Sequence, residues 1–443
     1  MKQVFIPDFC KKIINRLNDC RFEAFLVGGC VRDCLMGKIP HDYDIATDAT
    51  PDEMIKSFDG FKVIKTGEKH GTLTVICENN AVEVTTYRID GDYYDNRRPN
   101  SVEFTRSINE DLSRRDFTVN ALAYNENSGL IDLFSGEKDL DSKIIKCVGE
   151  ADVRFLEDAL RILRALRFAS TLGFEIEENT AKSIIKNKDL LKNISSERIL
   201  VEFKKLLLGE NVEKILLDYK DIFAVFIPEI RPCFNFDQKT KYHQYDVYTH
   251  IVKSVSACEK DETLRLACFL HDIEKPSVFF TDENGTGHFY GHPAPSAATA
   301  KKVLKRLKAD NKTIEKVVDL VKYHDRQIAL SEKSVKRLLS KTSPEFFRDL
   351  IKIKRADSLA HAPEYQNKDE YYNALLEILE KIENEQQCFK IKDLKINGND
   401  LIELGFSGVL IGNTLKKLLK AVIDGEVDND KTELLSYIKK EIM

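Results

Sequence analysis

FLVGGCVRDCLMG, residues 25–37, is the stretch that decides the fold class of this chain. A short apolar run ends in Gly28 and Gly29, and the following residues have helical spacing, which predicts a strand, a glycine turn and a helix. Glycines at such a turn let the backbone approach a phosphate closely, and the N–H groups at the helix start favour an anion. Arg32 adds a fork of donors that matches a triphosphate. The stretch therefore predicts a phosphate-binding α/β fold.

Two aspartates follow in HDYDIAT, residues 41–47. Asp42 and Asp44 stand two positions apart on a predicted strand, so both carboxylates face the same side. Paired carboxylates suit Mg2+, which prefers oxygen ligands and leaves room for phosphates. Two such ions activate an attacking hydroxyl and stabilise a leaving pyrophosphate. An exposed acidic strand end is the alternative, and Glu83 on a later strand is either a third carboxylate or the partner of an arginine.

Composition and patterning divide the chain into an N-terminal α/β part and a long helical remainder. Residues 1–145 alternate helix-like and strand-like stretches, whereas helical spacing dominates from about residue 146. The 443 residues are 42% hydrophobic and 32% charged, and 68 basic against 73 acidic residues give a net charge of −5. No apolar run reaches the ~18 residues of a membrane span. Ten cysteines without a Cys-x-x-Cys pair or an export signal predict reduced thiols in the cytoplasm.

The ordered motifs of the N-terminal part resemble those of a known family. Gly-Gly-x-Val-Arg-Asp followed by Asp-x-Asp resembles the signature of the nucleotidyltransferase fold shared with DNA polymerase β. DYDIATDATP, residues 42–51, and RRDFTVNALAY, residues 114–124, are similar to motifs of the class II tRNA nucleotidyltransferases, the CCA-adding enzymes. Bacterial poly(A) polymerases belong to the same class. The resemblance extends, more loosely, along nearly the whole chain.

The resemblance implies an α/β nucleotidyltransferase head, an all-α neck, an HD-type helical domain and a helical tail. The expected ranges are 1–145 for the head, 146–230 for the neck, 240–362 for the HD-type domain and 370–443 for the tRNA-binding tail. Residues 301–340 carry twelve Lys and Arg against five Asp and Glu. Such a run is either a solvated helix face or a contact for a phosphate backbone.

The second head motif, SRRDFTVNA at residues 113–121, is expected to bind the nucleotide. The resemblance implies that Arg115 contacts the phosphates and that Asp116 or Asn120 contacts the sugar. An arginine fork matches phosphate oxygens, and a carboxylate accepts a hydrogen bond from a ribose hydroxyl. A surface charge cluster is the interpretation of this motif when it is considered without the upstream motifs.

The neck carries a candidate template for base selection in LEDALRILRALRF, residues 156–168. On one continuous helix, Asp158 and Arg161 are neighbours, while Arg164 and Arg167 wind onward and bind phosphate or support the pocket. A carboxylate that accepts from an amino group and a guanidinium that donates to a ring nitrogen fit cytosine and adenine alike. Guanine and uracil place a carbonyl opposite the carboxylate. The resemblance implies the same role for this Glu-Asp-x-x-Arg motif, and an intrahelical salt bridge is the alternative.

Two further segments of the family are recognisable. SERILVEF, residues 196–203, resembles its last core motif, in which Arg198 and Glu202 are expected to brace the neck as i,i+4 partners. YRIDGDYYDNRRPNSVEF, residues 87–104, resembles a flexible loop that lets the site switch from C to A. Enzymes that add only CC lack much of this loop, so its presence favours CCA addition.

A second metal site is predicted downstream by an ordered set of histidines and aspartates. The resemblance is to the HD superfamily, whose core ligands are His, His-Asp and Asp; a divalent ion such as nickel, manganese, iron or magnesium fits them. HD domains hydrolyse phosphoesters through metal-activated water. The chain has Glu274 where the family often has glycine, which argues against catalysis. The candidate ligands are His250, His271, Asp272, Asp357, His292 and His324.

The expected function is the addition of C, C and A to tRNA 3′ ends from CTP and ATP, with Mg2+ as cofactor. The alternative within the class is a poly(A) polymerase or an A-adding enzyme. An HD phosphohydrolase whose head only binds nucleotide is a third hypothesis, and a catalytically silent RNA-binding protein is a fourth. Intact carboxylate and arginine sets argue against the last of these.

Overall fold

A computed structural model describes residues 4–90 and 102–442 of the chain. The chain divides into two compact units, residues 1–228 and residues 229–443. The first unit spans the range predicted for the head and nearly all of that predicted for the neck, and the second spans the ranges predicted for the HD-type domain and the tail, whose assignment stays a prediction. No helix in the described ranges is both long and apolar enough to cross a membrane. All ten cysteines fall within these ranges and are free thiols, nine of them buried.

A seven-stranded mixed sheet forms the centre of the head. Its strand order is β3-β4-β5-β2-β1-β8-β9, with β2 and β5 parallel and the other neighbouring pairs antiparallel. The strands contain alternating or continuous buried β-branched and apolar residues, as β4 does, which fits a sheet with a covered face. The strands are β1 Ala24–Val27, β2 Asp44–Thr47, β3 Lys62–Ile64, β4 Thr72–Cys77, β5 Asn80–Thr86, β8 Leu122–Asn125 and β9 Gly129–Asp132.

Five helices and a short strand pair, β6 Arg88–Asp90 with β7 Val102–Phe104, complete the head. Helix α3 begins at a Thr50 to Glu53 capping box with proline at its first position, a sequence signal that fixes its start. The head helices are α1 Asp8–Asp19, α2 Gly29–Leu35, α3 Pro51–Ser57, α4 Ile108–Ser113 and α5 Gly136–Asp141.

The neck is helical, but its central helix does not run as the sequence pattern predicted. A continuous helix was expected through residues 156–168; instead α6 ends at Glu157, and Asp158 has an extended backbone with φ −136° and ψ 103°. Strand β10 Ile144–Ile145 pairs in parallel with β11 Glu175–Ile176 at the head side of the neck. The neck helices are α6 Ala151–Glu157, α7 Leu160–Leu172, α8 Glu178–Asn187, α9 Ser196–Leu207, α10 Val212–Asp218 and α11 Lys220–Phe226.

The second unit is a set of helices with one two-stranded hairpin, β12 Phe280–Thr281 and β13 Gly287–His288. Aspartate or serine caps begin several helices; Asp246, for example, accepts the backbone N–H of Thr249 at the start of α12. A separate apolar cluster around Leu401, Leu418 and Leu434 holds the last three helices together. The helices are α12 Val247–Ala257, α13 Glu262–Leu270, α14 Pro293–Arg306, α15 Asn311–Tyr323, α16 Glu332–Leu339, α17 Pro344–Leu359, α18 Asp369–Asn384, α19 Gly398–Glu403, α20 Val409–Asp424 and α21 Lys431–Glu441.

Candidate nucleotide site and histidine cluster

A cavity of about 610 Å³ opens where the head meets the neck within the first unit. Every residue that the sequence proposed for nucleotide or metal binding in these two segments lines it, although the residues come from separate elements. The lining is Gly28, Gly29, Arg32, Asp42, Asp44, Arg114, Arg115, Asp116, Asn120, Asp158, Leu160, Arg161, Arg164, Arg167, Phe168 and Arg198. The motifs, spread over 170 positions from Gly28 to Arg198, therefore meet in one place.

The glycine turn between β1 and α2 lies against one of the arginines. Gly28 has φ +74°, a conformation that residues with a Cβ rarely adopt. A Cβ built on Gly28 would lie 2.8 Å from Nη1 of Arg115, which is closer than real contacts permit. The turn therefore requires glycine, and this close approach brings the guanidinium of Arg115 over the backbone at the start of α2.

The paired carboxylates lie at the beginning of β2. Asp44 is the first residue of the strand and pairs in register with Glu83 on β5, while Asp42 precedes the strand, so the expectation that both lie on it was wrong. Burial raises the pKa of Asp44; the carboxylate charges of Glu83 and Asp42 raise it further, against the lowering effect of Arg115. Three carboxylates thus lie near one another, of which Asp42 and Asp44 line the cavity, and a bound cation would relieve their repulsion.

Asp111 on α4 anchors two arginines of the cavity and was missed by the sequence reasoning. Its Oδ1 accepts from Nη2 of Arg114 at 2.6 Å, and its Oδ2 accepts from Nη2 of Arg115 at 3.1 Å. Burial alone would raise the pKa of Asp111, but the two guanidinium charges outweigh it and the pKa is lowered. The spacing of three and four residues from Asp111 to the two arginines was a usable signal.

Asp116 is held by the neck rather than left open to a sugar. Its Oδ2 accepts from Nε of Arg164 at 2.7 Å, and its Oδ1 accepts from Nδ2 of Asn120 at 3.2 Å. Burial would raise the pKa of Asp116, but the charge of Arg164 and its hydrogen bond, the charge of Arg161 and the bond from Asn120 hold it at about 2. Oδ1 of Asn120 also accepts from Nη1 of Arg32 at 2.6 Å. These contacts fix the side chains of Arg32, Asp116, Asn120 and Arg164 at the cavity wall.

Asp158 and Arg161 are positioned by partners that the sequence did not pair with them. Oδ2 of Asp158 accepts from Nη2 of Arg198 at 2.7 Å, and Oδ1 accepts the backbone N–H of Leu160 at 3.0 Å. Nη1 of Arg161 donates to Oε2 of Glu157 at 2.5 Å, and its Nη2 donates to the carbonyl of Arg114 at 2.9 Å. The expected intrahelical neighbours are thus separated by the break between α6 and α7, because Asp158 lies outside both helices.

Arg164 and Arg167 form ion pairs with Glu202 and lie near the ring of Phe168. Nε of Arg167 donates to Oε2 of Glu202 at 2.6 Å, and Nη1 of Arg164 lies 3.8 Å from Oε1 of Glu202. Glu202 therefore braces α7 from α9, through these arginines rather than only within its own helix. The guanidinium carbons of Arg32, Arg164 and Arg167 lie 5.3, 5.4 and 3.7 Å from the ring centroid of Phe168. Phe168 lies between like charges, and sequence reasoning missed it.

The second unit brings all six predicted histidines and aspartates into one buried cluster. The candidate ligand atoms form two groups, and within each group they lie within 4.8 Å of one another. Asp272 belongs to both groups. Oδ2 of Asp272 lies 3.3 Å from Nε2 of His250, and Oδ1 lies 3.1 Å from Nε2 of His292. The groups are His250, His271, Asp272 and Asp357, and Asp272, His292 and His324.

Each of the four histidines has its Nδ1 tied to a backbone carbonyl. The acceptors are Ala360 for His250 at 3.2 Å, Cys268 for His271 at 2.6 Å, Phe289 for His292 at 2.9 Å and Val321 for His324 at 2.6 Å. Such a bond occupies Nδ1 and leaves Nε2 as the atom that would ligate a metal once the imidazole is neutral. This donor arrangement fits a divalent ion bound by imidazole nitrogens and carboxylate oxygens.

Three residues near the cluster, Glu274, His243 and His361, add contacts that the sequence did not predict. Glu274, at the expected glycine position, has its carboxylate turned to α14, where it accepts from Oγ1 of Thr299 at 2.6 Å. His243 and His361, which had no assigned role, lie beside the cluster, with ring centroids 4.7 and 5.4 Å from that of His250. Burial would raise the pKa of Asp272, but His271 and Lys275 hold it well below the usual range.

The loop that was expected to favour CCA addition falls mainly outside the described residues. Residues 91–101, with Asp92, Asp95, Arg97 and Arg98, are not described. At the edge of the gap, Nη1 of Arg88 donates to the carbonyl of His70 at 3.2 Å. The inference from this loop therefore remains a prediction from the sequence.

Comparisons with known proteins agree with the site. Three family models match: the Poly A polymerase head domain over residues 24–146, the Probable RNA and SrmB-binding site of polymerase A over 173–234, and tRNA nucleotidyltransferase domain 2 over 294–438. The chain is 34% identical to the CCA-adding enzyme of Geobacillus thermodenitrificans, over 96% of this chain and 95% of the relative. It is 32% identical to that of Streptococcus thermophilus, over 99% of both chains.

A similar structure has also been solved. The CCA-adding enzyme of Bacillus stearothermophilus in complex with CTP superposes with a TM-score of 0.75 and 28% identity, covering 98% of both chains. The similarity thus extends over the head, the neck and the second unit.

Proposed function

Because the chain belongs to the family of the CCA-adding enzymes, we propose that it adds C, C and A to the 3′ end of tRNA, taking CTP and ATP as substrates. The observation that carries the proposal is the single cavity in which a glycine turn, paired carboxylates and an anchored Asp158–Arg161 pair meet. The relatives are named for the same reaction. The primer hydroxyl attacks the α-phosphate of the bound nucleotide, and pyrophosphate leaves.

The triphosphate would bind among the arginines. Arg32 and Arg115 flank the glycine turn, where the backbone of Gly28 and Gly29 permits close approach. Arg164 and Arg167 are oriented by Asp116 and Glu202, so their charges are held in place before substrate arrives. Preoriented donors stabilise the charge of the departing pyrophosphate without paying for reorganisation during the reaction.

Asp42 and Asp44 would hold Mg2+, with Glu83 beside them. Burial and the neighbouring carboxylates both raise the pKa of Asp44, and a cluster of oxygen donors of like charge fits a hard cation that neutralises it. When bound, Mg2+ supplies charge neutralisation for the phosphates and lowers the pKa of the attacking hydroxyl. The residues of the chain would position the nucleotide and the primer end against each other.

Asp158 and Arg161 would select the base. The carboxylate of Asp158 has about four acceptor positions, of which Arg198 and the N–H of Leu160 use two. The remaining positions accept an exocyclic amino group, which cytosine and adenine both present. Arg161, held by Glu157, donates to the neighbouring ring nitrogen. Uracil and guanine would place a carbonyl against the carboxylate and leave both groups unpaired.

The tail, together with residues of the range 240–362, would bind the body of the tRNA through a basic groove of about 720 Å³ in the second unit. Apolar residues such as Leu419 and Ile423 line its floor, and cations surround them. Positive charge along a groove attracts the phosphate backbone independently of sequence. The cationic residues are Arg326, Arg337, Lys341, Lys390, Lys416 and Lys420. The division into a head, a neck, an HD-type domain and a tail, and a cytoplasmic location, belong to the same proposal.

The experiment that tests the proposal uses tRNA transcripts that end at the discriminator base, at C or at CC. Each transcript is incubated with CTP and ATP, singly and together, and product lengths are resolved on a gel. CCA addition predicts a stop after three, two and one nucleotides. Long A tails on any RNA would establish the poly(A) polymerase alternative, and absence of incorporation would reject both.

A second candidate activity, metal-dependent hydrolysis of phosphoesters, is supported by the histidine cluster. The specific observation is that four Nε2 atoms converge on Asp272 and Asp357, with every Nδ1 fixed by a carbonyl. The cluster would hold a divalent metal of its own, separate from the Mg2+ of the head. A metal bound there would activate water for attack on a phosphorus atom.

A further inference from the structure

An exposed aromatic cluster lies on the β12–β13 hairpin of the second unit. The rings of His288 and Tyr290 are stacked, with centroids 5.1 Å apart and planes 23° from parallel. Phe280 completes the cluster at 5.3 Å from His288 and 5.7 Å from Tyr290. Phe280 is 47% exposed and Tyr290 73% exposed, so large ring surfaces face solvent. Exposed aromatic rings in a group are a feature of binding surfaces rather than of cores.

The hairpin holds this cluster in a fixed place. Nε2 of His288 lies 2.8 Å from Oδ2 of Asp282, and Oδ1 of Asp282 accepts the backbone N–H groups of Asn284 and Thr286, both at 2.9 Å. Asp282 therefore ties the turn of the hairpin to the imidazole. The stacked pair is consequently oriented before any ligand arrives, which limits the entropy lost on binding.

The stacked rings of His288 and Tyr290 share one cavity of about 430 Å³ with the histidine cluster, and Phe280 packs against them without lining the cavity. His288 and Tyr290 line one part of it, and Asp272, Asp357 and His324 line another. The volume falls within the ~300–1,000 Å³ range of small-ligand sites. Lys275, 2.6 Å from Oδ2 of Asp272, adds a positive charge at the charged end. The cavity thus combines a flat aromatic end with an end suited to metal and phosphate.

We propose that the stacked rings of His288 and Tyr290, supported by Phe280, form a base-stacking platform, so that the second site takes phosphoesters that carry an unpaired nucleobase. The inference rests on the proposed phosphohydrolase function and names its substrate class. A nucleobase stacks on the exposed rings while its phosphate reaches the histidine and aspartate end. Stacking on aromatic side chains tolerates any base, because every base has a flat π surface. Free nucleotides and the unpaired end of an RNA share this chemistry.

The test measures stacking directly through 2-aminopurine, whose fluorescence is quenched when it stacks. The full-length protein, loaded with Mn2+, is titrated with 2-aminopurine ribonucleoside monophosphate and, separately, with a short RNA that ends in 2-aminopurine. Tyr290→Leu removes the ring but keeps apolar bulk, and Tyr290→Phe is the matched control. Loss of one stacking partner predicts a rise in Kd of about 5- to 150-fold for Tyr290→Leu and a near-wild-type Kd for Tyr290→Phe. The probe that responds more strongly identifies the source of the base.

Two results would count against the inference, and they are distinguishable. Equal Kd values for wild type and Tyr290→Leu, with equal metal content, would overturn the platform while leaving the hydrolase proposal intact. Bound metal is measured in parallel on wild type and Asp272→Ala, and absence of metal from wild type would overturn the hydrolase proposal itself. Binding of the probe at the nucleotide site of the first unit is common to all Tyr290 variants, so only their difference is interpreted.

Discussion

Replacing Asp158 by alanine removes the acceptor that is proposed to distinguish amino-bearing from carbonyl-bearing bases. In the structure, Arg198 lies 2.7 Å from this carboxylate, and the Asp158 side chain is only 18% exposed. The substitution therefore leaves a guanidinium donor next to the position of the base. That donor would face a carbonyl of uracil or guanine without penalty, whereas the amino group of cytosine would lose its acceptor.

The loss of such a discriminating contact corresponds to ~1–3 kcal/mol, which is about 5- to 150-fold in relative kcat/KM. The assay measures single-nucleotide addition of CTP and of UTP to one tRNA primer, for wild type and Asp158→Ala. We expect the CTP to UTP ratio to fall by this factor together with the turnover for CTP.

A matched control is Asp152→Ala. Asp152 lies on α6, just before Asp158 in the chain, and forms an ion pair with Lys186 at 2.5 Å, but it does not line the cavity. This variant should keep the wild-type ratio. If Asp158→Ala lowered turnover for all nucleotides by one common factor and left the ratio unchanged, the templating role would be refuted and only a structural role for the pair with Arg198 would remain.

Four further predictions concern other parts of the molecule. Asp44→Ala should abolish addition of both C and A while tRNA binding in a filter assay stays nearly intact, because only the chemical step needs the paired carboxylates. Asp272→Ala should remove bound metal and phosphatase activity from the second unit without changing nucleotide addition. Lys416→Glu combined with Lys420→Glu should weaken tRNA binding and reduce the slope of log K against log salt, by about 1.4–1.8 for two lost phosphate contacts. The lowered pKa of Asp116, about 2 against 3.8, stabilises the fold above pH ~4 and this contribution disappears as pH falls toward 2, so Asp116→Asn should lose part of the acid dependence of unfolding.

Each of these predictions can fail in a specific way. Turnover by Asp44→Ala above a tenth of wild type would reject its role as a metal ligand. Loss of both activities in a still-folded Asp272→Ala protein would contradict two independent sites. Lys417→Glu changes a lysine on the same helix that does not line the groove, and this variant should bind tRNA better than the double variant. An equal loss of affinity would show that total charge, and not the groove, determines tRNA binding. If the free energy of unfolding of Asp116→Asn depended on acid pH as that of wild type does, the ion pair with Arg164 would not stabilise the fold.

The sequence predicted the head well because its signals are local. The glycine turn, the strand of Asp44 and the helix after Gly28 each depend on a few adjacent residues, and the structure contains all three elements. The second motif, residues 113–121, is also local, although the sequence reasoning missed Asp111, which lies one helical turn before Arg115. Local spacing is the information that a single sequence carries most directly.

The neck was predicted less well because its contacts are distant in sequence. Apolar periodicity continues through Asp158, so it concealed the break at which this residue leaves the helix. The pairs Asp158–Arg198 and Arg167–Glu202 join positions 40 and 35 residues apart, and nothing in the local spacing indicates them. The usable signal was that an aspartate two residues before an apolar helix often accepts its first N–H groups, as Asp158 does from Leu160.

In the second unit, some features could be predicted from the sequence, and others depend on contacts between distant residues. The ordered histidines and aspartates indicated a metal cluster through their resemblance to the ligand pattern of the HD superfamily, and the structure brings their candidate ligand atoms together. The presence of Asp272 in both ligand groups, and the aromatic cluster beside them, depend on how α13, α14 and the β12–β13 hairpin pack. Those relationships required the structure.

The most direct test of the central claim, that one protein cavity selects C and A and then stops, is the sequence of the product. A tRNA transcript that ends at the discriminator base is incubated with all four nucleoside triphosphates at equal concentration, and the 3′ ends are sequenced. We predict that CCA is the dominant addition and that extension ends there. Frequent U or G, or runs of A beyond the third position, would contradict the account.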